Sequence, residues 1–510
     1  MQPIAQLSRH LFDTVTVEDV VQDLDSKYVF TTLPIQTSTF TFFDTFDWRL
    51  YTKKLLCYHT NQELHLADFA DSELLPPLPL RTKPPRFWQK FPDSDMKKVL
   101  LPIIEMRALL PQATFSQTTQ KLQILNRDKK IVALITFSEM HCDNDDSYRS
   151  VHLREVRGYN KWFIKLSRFL ESFGNAQPDT MVHRLTTALA TSGRTPLDYS
   201  SGLSLELTPE MSGIAAAKSI YRSLLSTMRV NLPGIVDDLD SEFLHDFRVA
   251  IRRTRSALAL IKDVLSPEVT ARFKEEFRYL GQITGPVRDL DVYLLSENDY
   301  KARLPQYLQE GLHLFFQDLA KQRKQEQKRL VKALNSDRCQ TILNDWQEFL
   351  ESEDDLIQAK QSNTPVSQLA NTIIRKRFKR VLRDGSAITD DSPDESLHKL
   401  RIQGKKLRYV LEFFSSLYPQ QDMKILIRQL KLLQNNLGDF NDLSVQQDML
   451  KYSLSLLKPG TIKTKKTSAS IGGLLTALYH EHEEVRTRFE ESFTRFSDAK
   501  NIALYKKLFK

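Results

Sequence analysis

The segments HDFRVAIRRTR (245–255) and HKLRIQGKKLR (398–408) share one pattern, a histidine followed by several basic residues. Counted from each histidine, positions +3, +7, +8 and +10 are basic in both segments. The offset of 153 residues that relates them also relates GPVRDLDV (285–292) to GDFNDLSV (438–445). Agreement over more than forty residues indicates that the C-terminal part of the chain contains a duplicated unit.

Each copy fits an amphipathic helix with a row of positive charge along one face. At about 100° per residue, the histidine and positions +3, +7 and +10 fall within roughly an 80° sector. The apolar residues on the opposite face of the first copy, which can pack inward, are Phe247, Val249, Ile251 and Leu258. Like charges at i,i+4 destabilise a helix by roughly a few tenths of a kcal/mol per pair. A single row of this kind is most often a solvated face, whereas the duplicated row predicts a ligand with repeating negative charge.

Longer stretches around both copies resemble the CHAD domain, the conserved-histidine α-helical domain. EFLHDFRVAIRRTRSAL (242–258) and LGQITGPVRDLDV (280–292) resemble the first half of that domain. LHKLRIQGKKLRY (397–409) and LKLLQNNLGDFNDL (430–443) resemble its second half. The resemblance covers about residues 209–510 and implies an all-α domain of two helical bundles related by pseudo-twofold symmetry.

The resemblance also implies a ligand. In this family, basic residues from both halves, here about 209–335 and 338–510, line a shared groove that binds inorganic polyphosphate. Carried over residue by residue, the expected polyphosphate-binding residues are His245, Arg248, Arg252, Arg253, Arg255, His398, Lys399, Arg401, Lys405, Lys406 and Arg408. Arginine would give bidentate contacts to phosphate and lysine point charges, so neither a cofactor nor a metal ion is expected. For the two histidines, a hydrogen bond within the bundle is an equally good interpretation.

The N-terminal part, residues 1–207, has a different pattern, with short alternating runs such as KIVALITFSE (130–139). Alternation of this kind predicts a mostly antiparallel β-sheet. Helices are expected near residues 17–28 and 160–173. The acidic run HCDNDD (141–146) is predicted to be a hairpin tip and not a metal site.

This N-terminal part resembles a CYTH domain, a triphosphate-tunnel β-barrel. The stretches that carry the resemblance are FTFFDTFDWRLY (40–51), RALLPQATFSQTTQKLQILNRDKKIVAL (107–134) and LREVRGY (153–159). The expected fold is therefore a multidomain α+β chain. An antiparallel CYTH-like β-barrel in residues 1–207 is followed by the all-α CHAD domain in residues 209–510.

Catalysis by CYTH domains, as the resemblance implies, depends on an ExExK motif in the first strand, whose acids hold a divalent metal ion. The candidate first strand, PIAQLSRHLF (3–12), contains no acid. Asp23, Asp25 and Lys27 imitate the spacing, but they fall on a predicted helix, where residues i and i+2 do not share a face. Charges of the type that lines a triphosphate tunnel remain at Arg107, Lys121, Arg127, Arg154, Glu155 and Arg157. We therefore expect no catalytic residues and a domain that acts as a scaffold or an accessory phosphate site.

The alternative interpretation is an enzyme, a metal-dependent inorganic triphosphatase that uses the N-terminal tunnel. Its acids would come from other positions, for which Glu139, Glu155 and Glu206 are the candidates. Without metal-binding acids in the first strand, hydrolysis of a triphosphate lacks its electrophile. The sequence therefore favours non-catalytic binding of polyphosphate.

The charge balance favours a polyanionic partner. Residues 1–200 carry 24 Lys/Arg against 23 Asp/Glu, whereas residues 201–510 carry 48 against 41. The excess of positive charge thus lies in the part with the duplicated motif. Nucleic acid is not expected as a partner, because the basic helices have few aromatic residues for base stacking and the chain has no nucleic-acid reading motif.

The sequence favours a location in the cytoplasm. Three cysteines that lie far apart indicate neither a disulfide framework nor a zinc cluster. No apolar run reaches the ~20 residues of a membrane span, and MQPIAQLSRHLFD (1–13) lacks a signal-peptide core. A cytoplasmic location is expected, and an association with polyphosphate granules stays open.

Overall fold

The chain forms two compact units, Met1–Ser201 and Gly202–Lys510. The computed structural model describes residues 5–71, 73–142, 147–175, 180–352, 359–457 and 460–510. Of the described elements, all ten strands belong to the first unit, and the second unit is helical.

The first unit is built on one antiparallel sheet. Its strands are β1 (Gln6–Leu11), β2 (Val29–Thr32), β3 (Gln36–Asp44), β4 (Leu55–Thr60), β5 (Glu63–Asp68), β6 (Leu78–Pro79), β7 (Leu110–Leu125), β8 (Ile131–His141), β9 (Ser147–Glu155) and β10 (Gly174–Asn175). Neighbouring strands pair in the order β10-β1-β9-β8-β7-β3-β4-β5-β6, and β2 pairs with β7. Each of these pairs is antiparallel, so the sheet predicted for this part of the chain is confirmed.

The sheet is open, which corrects the expected closed barrel. Within the residues that the structure describes, β10 and β6 form the two ends of the strand order. Each of these end strands has only two residues. Pro79 in β6 has no amide hydrogen with which to bind a further strand. The pairing therefore stops before the sheet closes.

Helices pack on this sheet in three separate clusters of buried apolar residues. The helices are α1 (Val17–Asp25), α2 (Arg49–Thr52), α3 (Asp95–Ile104), α4 (Asn160–Leu170) and α5 (Met181–Ala190), with a 3-10 helix at Trp88–Lys90. α1 and α4, which fall where helices were predicted, pack on β7, β8 and β9 through residues such as Leu24 and Leu166. α5 packs on a second core through Leu185. β8 pairs with β9, but residues 143–146 of the predicted hairpin tip lie outside the described residues.

The second unit consists of helices that follow one another closely along the chain. They are α6 (Gly213–Val236), α7 (Ser241–Leu260), α8 (Pro267–Ile283), α9 (Gly285–Leu295), α10 (Glu297–Ala302), α11 (Gln306–Leu334), α12 (Asp337–Glu351), α13 (Val366–Ser386), α14 (Asp394–Phe413), α15 (Gln420–Ser455), α16 (Ile462–Thr487), α17 (Phe489–Phe496) and α18 (Ala499–Leu508). A 3-10 helix at Ser415–Leu417 joins α14 to α15. The two basic segments lie on α7 and α14, which are called the motif helices below.

The 153-residue offset of the sequence motifs also relates helix boundaries. The motif helices both have 20 residues, and their first residues, Ser241 and Asp394, differ by the offset. α6 and α13 begin at Gly213 and Val366, which the offset also relates. Residues 420–455 and 267–302, which the offset also relates, differ in continuity. Helix α15 is continuous over 36 residues, whereas residues 267–302 are divided into α8, α9 and α10 at Thr284 and Ser296.

The motif helix α7 is fixed by its cap and its apolar face. The carboxylate of Asp240 accepts hydrogen bonds from two backbone amides of the first turn, which satisfies donors that the helix itself leaves free. Phe247, Ile251 and Leu258 are at most 2% exposed, which confirms the predicted inward face, and Val249 is half-buried. α7 packs against α6, α8 and α14. The two motif helices are therefore in direct contact.

Candidate anion-binding site

The two motif helices meet at a cavity of about 510 Å³ that α8 also lines. Each of the three helices contributes residues at i, i+3, i+4 and i+7 spacing, which places them on one helix face. The lining residues are Arg252, Arg255, Ser256, Ala259, Leu260, Ala271, Lys274, Glu275, Arg278, Ile402, Lys405, Lys406 and Tyr409. The cavity therefore brings together four of the expected polyphosphate-binding residues, Arg252, Arg255, Lys405 and Lys406.

The lining of this cavity is strongly cationic. Six of its thirteen residues are Lys or Arg, and its one carboxylate is Glu275. That carboxylate is itself paired, since Glu275 Oε2 lies 3.3 Å from Arg278 Nη1. A concave surface lined by one sign of charge concentrates counter-ions of the opposite sign. The cavity is therefore suited to an anionic ligand.

Four of the cations lack an internal partner. Within the part of the chain that the structure describes, no ion pair and no hydrogen bond is formed by the side chains of Arg252, Arg255, Lys405 and Lys406. Like charges that lie close together in a partly buried place disfavour one another's charged form. An anion bound among them would remove that repulsion.

Lys405 experiences this repulsion most strongly. Burial, together with the positive charges of Arg401 and Arg252, lowers the pKa of Lys405 to about 8. Arg252 belongs to α7 and Lys405 to α14, so the charges of the two motif helices act on each other across the cavity. The sequence offset relates the same two residues.

Several cations of the site lie outside the two motifs. Lys274 and Arg278 on α8 line the cavity, and Arg377 and Arg380 on α13 act on its edge. Burial lowers the pKa of Lys406, and the charges of these two arginines add to the effect. The i,i+4 spacing of Lys274 and Arg278 was visible in the sequence. Only the packing of α8 beside α7, however, places that face in the site.

Arg253 and Arg408 do not line the cavity and form ion pairs with Glu412 instead. Arg253 Nη2 lies 2.9 Å from Glu412 Oε2, and the two side chains are 13% and 15% exposed. Arg408 Nε lies 2.6 Å from Glu412 Oε1. These two expected ligand residues thus share one carboxylate. The pair formed by Arg253 joins the two motif helices.

Arg248 and Arg401, which the offset relates, each bind to the helix that follows their motif. Arg248 Nη1 donates to the carbonyl oxygen of Gly281 at 3.0 Å and to Thr284 Oγ1 at 2.9 Å. Arg401 Nη2 donates to Asp442 Oδ1 at 3.2 Å. Burial lowers the pKa of both arginines. Each arginine thus connects its motif helix to residues within or just beyond the next helix, Arg248 to Gly281 and Thr284 and Arg401 to Asp442.

The two motif histidines lie along the same helices. His398 Nδ1 donates to Asn441 Oδ1 at 3.2 Å, a contact within the bundle. His245 is half-buried on α7. Lys399 is an exposed residue that pairs with Glu395 at 3.0 Å along α14. For His398, the hydrogen bond favours the interpretation as a bundle residue.

The described residues of the whole chain contain no group of three or more His, Cys, Asp or Glu side chains that could hold a metal ion. Glu139 Oε1 accepts from Arg149 Nε at 2.7 Å. Glu155 Oε2 accepts from the amide of Ala5 at 3.2 Å. Glu206 is exposed and belongs to the second unit. The three acids considered for a triphosphatase are therefore not brought together.

The tunnel-type charges of the first unit are also dispersed. Arg107 is 1% exposed, and its Nε lies 3.4 Å from Asp47 Oδ2. The remaining basic residues of that set are exposed, namely Lys121, Arg127, Arg154 and Arg157. Asp23 pairs with Lys27 at 2.9 Å, which is an ordinary i,i+4 contact.

The comparison with protein families identifies the class of the second unit. Residues 219–451 match the family model of the CHAD domain. This part of the chain is therefore a CHAD domain, as the motifs at 245–255 and 398–408 predicted. Among the helices that the structure describes, none combines the length and the apolar character of a membrane-spanning segment.

Relatives of known sequence cover only part of the chain. Two uncharacterized proteins of Mycobacterium tuberculosis, from strains CDC 1551 and H37Rv, are 27% identical to it over 210 residues. The matched region is 41% of this chain and 39% of each relative. The chain thus spans about two fifths of the length of the curated relatives that it matches.

Three solved structures show a distant similarity to parts of this chain. The CHAD domain from Ricinus communis is 24% identical, with a TM-score of 0.49, over 57% of this chain and 95% of that chain. PptA from Streptomyces chartreusis is 14% identical, with a TM-score of 0.45, over 56% of this chain and 99% of its own. HpAC1 from Hippeastrum, described with a dominant triphosphatase activity, is 12% identical, with a TM-score of 0.26, over 39% of this chain and 100% of its own.

Proposed function

We propose that this chain binds inorganic polyphosphate at the cavity between α7, α8 and α14, without hydrolysing it. One observation carries the proposal. Cations from both motif helices share the cavity and have no carboxylate partner among the described residues. The match of residues 219–451 to the CHAD domain supports it, because the resemblance to that family implies polyphosphate as the ligand.

Polyphosphate fits this arrangement through its charge. Each internal phosphate carries about one negative charge, and a linear chain of phosphates offers no ring or base for a protein to recognise. Arg252 and Arg255 can give bidentate hydrogen bonds to phosphate oxygens, while Lys405 and Lys406 act as point charges. Binding should release counter-ions and therefore weaken as the salt concentration rises.

The internal duplication supports the use of both motif helices for one ligand. The helix boundaries follow the same 153-residue offset as the basic residues. Arg252 and Lys405, which that offset relates, both line the cavity. A polymer with a repeating charge can contact the two equivalent positions with equivalent groups.

A titration with long-chain polyphosphate tests the proposal. We expect binding by the full chain that weakens about 50-fold between roughly 50 and 200 mM salt, at about 0.7 per phosphate contact for roughly four contacts. The variant that replaces Arg252, Arg255, Lys405 and Lys406 with alanine should bind about 10⁴-fold more weakly or worse, since four charged hydrogen bonds at ~1.5–3 kcal/mol each are lost. Normal binding by this variant would place the ligand elsewhere.

A control variant that loses the same number of positive charges can be made on α11. Lys324, Lys328, Arg329 and Lys332 are exposed residues of this helix, and their replacement with alanine removes the same four charges. The control should keep most of the affinity if the cavity, and not the net charge, binds the ligand. Equal losses in both variants would instead indicate non-specific attraction by the basic unit.

Competition separates polyphosphate from nucleic acid. Labelled polyphosphate bound to the protein should be displaced by unlabelled polyphosphate and not by single-stranded DNA of equal charge, because the cavity has few aromatic side chains for base stacking. Displacement by DNA at equal concentration would favour a nucleic-acid partner. The cytoplasm, with polyphosphate granules as the alternative, is the location that this function predicts.

A further inference from the structure

Glu412 holds two of the motif cations in ion pairs. Its Oε2 lies 2.9 Å from Arg253 Nη2, and its Oε1 lies 2.6 Å from Arg408 Nε. Arg253 and Glu412 are only 13% and 15% exposed. At each of these two arginines, an oxygen of the Glu412 carboxylate thus occupies the position that an oxygen of a bound phosphate would occupy.

The 153-residue offset maps this arrangement onto the cavity. The pairs of residues that the offset relates are Glu412 and Ala259, Arg253 and Lys406, and Arg408 and Arg255. The second residue of every pair lines the cavity. The ion-paired cluster and this part of the cavity lining therefore occupy equivalent positions under the offset.

One side chain distinguishes the two places. Where the second copy has the carboxylate of Glu412, the first copy has the methyl group of Ala259. Lys406 and Arg255 consequently have no internal partner among the residues that the structure describes, and the volume of a longer side chain remains open. Among the described residues, the motif cations are thus neutralised beside Glu412 and unpaired beside Ala259, two places that we call the closed and the open end of the proposed groove.

We propose that Glu412 is a specificity-determining residue that restricts the ligand to a short segment of phosphates at the open end of the groove. This inference rests on the proposed function. While Glu412 is in place, Arg253 and Arg408 do not contact the ligand. The site then binds short linear oligophosphates, or one short segment of a longer chain. The positions beside Glu412 add no further contacts to the ligand.

A phosphate chain competes poorly with this carboxylate. Glu412 belongs to the same helix as Arg408, so it competes as an intramolecular group, with an effective concentration of about mM or above. Displacing it would also leave a largely buried carboxylate without a partner, which is strongly unfavourable. An internal phosphate, with about one negative charge, offers no excess of charge to offset that loss.

Replacing Glu412 opens the second end of the groove. In the variant Glu412→Ala, two more cations become available, so the slope of log affinity against log salt should steepen by about 1.4, at roughly 0.7 per phosphate contacted on a flexible chain. The affinity for long-chain polyphosphate should rise about tenfold or more. The number of phosphates covered per protein at saturation should rise, whereas the affinity for tripolyphosphate should change less.

Two further variants protect the test against misfolding. Glu412→Gln removes the charge but retains hydrogen-bonding groups for Arg253 and Arg408, and it should shift the salt slope in the same direction. Ala259→Glu places a carboxylate at the equivalent position beside Lys406. It should close the open end and weaken polyphosphate binding about tenfold or more, since charged hydrogen bonds to the ligand are lost.

Glu268→Gln is the matched control for charge alone. Glu268 is an exposed residue in the first turn of α8, one turn before Ala271 of the cavity lining. Its replacement should leave the salt slope and the number of covered phosphates unchanged. Equal changes in the Glu268 and Glu412 variants would overturn the inference, because net charge would then account for both.

The outcomes separate this inference from the proposed function. If the wild-type chain binds no polyphosphate, both fail. If the wild-type chain binds and the quadruple cavity variant does not, the proposed function holds. In that case, unchanged slope and coverage in folded Glu412→Gln and Glu412→Ala, together with unchanged binding by Ala259→Glu, would overturn the role of Glu412 alone.

Discussion

Arg253 Nη2 and Glu412 Oε2 lie 2.9 Å apart and connect the two motif helices, α7 and α14. The basic residues of the motifs therefore form two groups with different tasks. Some, such as Arg253 and Arg248, bind to the protein itself, whereas Arg252 and Lys405 lack internal partners in the described part of the chain. Mutations can separate these groups because stability and ligand affinity should respond differently.

Replacing Arg253 with alanine should lower the free energy of unfolding by about 2–3 kcal/mol. Removing one partner of a buried ion pair costs 3–5 kcal/mol, and the smaller value reflects the partial exposure of the pair and the remaining contact from Arg408. Urea denaturation measures the change. Arg252→Ala should stay within about 0.5 kcal/mol of the wild type. A reversed order of the two variants would contradict the division of roles.

Replacing Arg248 with alanine should also destabilise the protein, by about 2–3 kcal/mol, because two hydrogen bonds from a charged donor are lost. The offset-related variant Arg401→Ala is the matched comparison. Its partner Asp442 is 63% exposed, so its loss should cost about 0–1 kcal/mol. Thermal unfolding of both variants without ligand measures the difference. Equal costs would show that the two copies use this arginine in the same way.

The affinity for polyphosphate should fall as the pH rises through about 8, the pKa to which burial and the charges of Arg401 and Arg252 lower Lys405. Below that pH the amine is charged and attracts phosphate. Above it the amine is neutral, and one of the contacts is weakened. Binding near pH 8 should therefore take up a proton, which calorimetry in buffers of different ionisation enthalpy detects.

The variant Lys405→Arg tests this assignment, because arginine stays charged throughout this range. The affinity of the variant should be constant between pH 7 and 9, roughly the range that surrounds this pKa. The same pKa shift has a consequence for stability. Between about pH 8 and the ordinary lysine pKa of about 10.4, the unfolded chain binds more protons, so the wild type should gain stability with rising pH relative to the variant. A pH profile that Lys405→Arg leaves unchanged would exclude Lys405 as its cause.

Incubation with tripolyphosphate and Mg²⁺ should release no phosphate. Among the residues that the structure describes, no group of three or more His, Cys, Asp or Glu side chains could hold a metal ion, and Glu139 binds Arg149 while Glu155 binds the amide of Ala5. A metal-dependent triphosphatase needs such a group to hold the ion that polarises its substrate. Phosphate release that requires metal, and that Glu139→Gln or Glu155→Gln abolishes, would move the function to the first unit.

The sequence predicted the parts of this structure that depend on local pattern. The 3.6-residue period placed Phe247, Ile251 and Leu258 on one face of α7, and these residues are buried. Alternation identified the antiparallel sheet. The open edges of that sheet could not be predicted. They depend on the two end strands, Leu78–Pro79 and Gly174–Asn175, each of which pairs with its neighbour over only two residues.

The sequence could predict which residues are basic and share a helix face, and not which of them meet. The motif spacing and the family resemblance named eleven residues, of which the structure places Arg252, Arg255, Lys405 and Lys406 around one cavity. The contact between Arg253 and Glu412 joins residues 159 positions apart, so no local pattern indicates it. The contribution of α8 likewise depends on tertiary packing.

The interruption between α8 and α9 makes the two halves different in helix continuity. α15 is continuous over 36 residues, about 54 Å, whereas the segment that the offset relates to it is interrupted at Thr284, two residues before Pro286, and again at Ser296. Arg248 donates a hydrogen bond to Thr284 Oγ1 at the first interruption. Helix ends leave backbone groups outside the intrahelical hydrogen bonds, so amide hydrogens near these interruptions should exchange faster than those in the middle of α15. The half that carries Ala259 is thus the one with the less continuous helix.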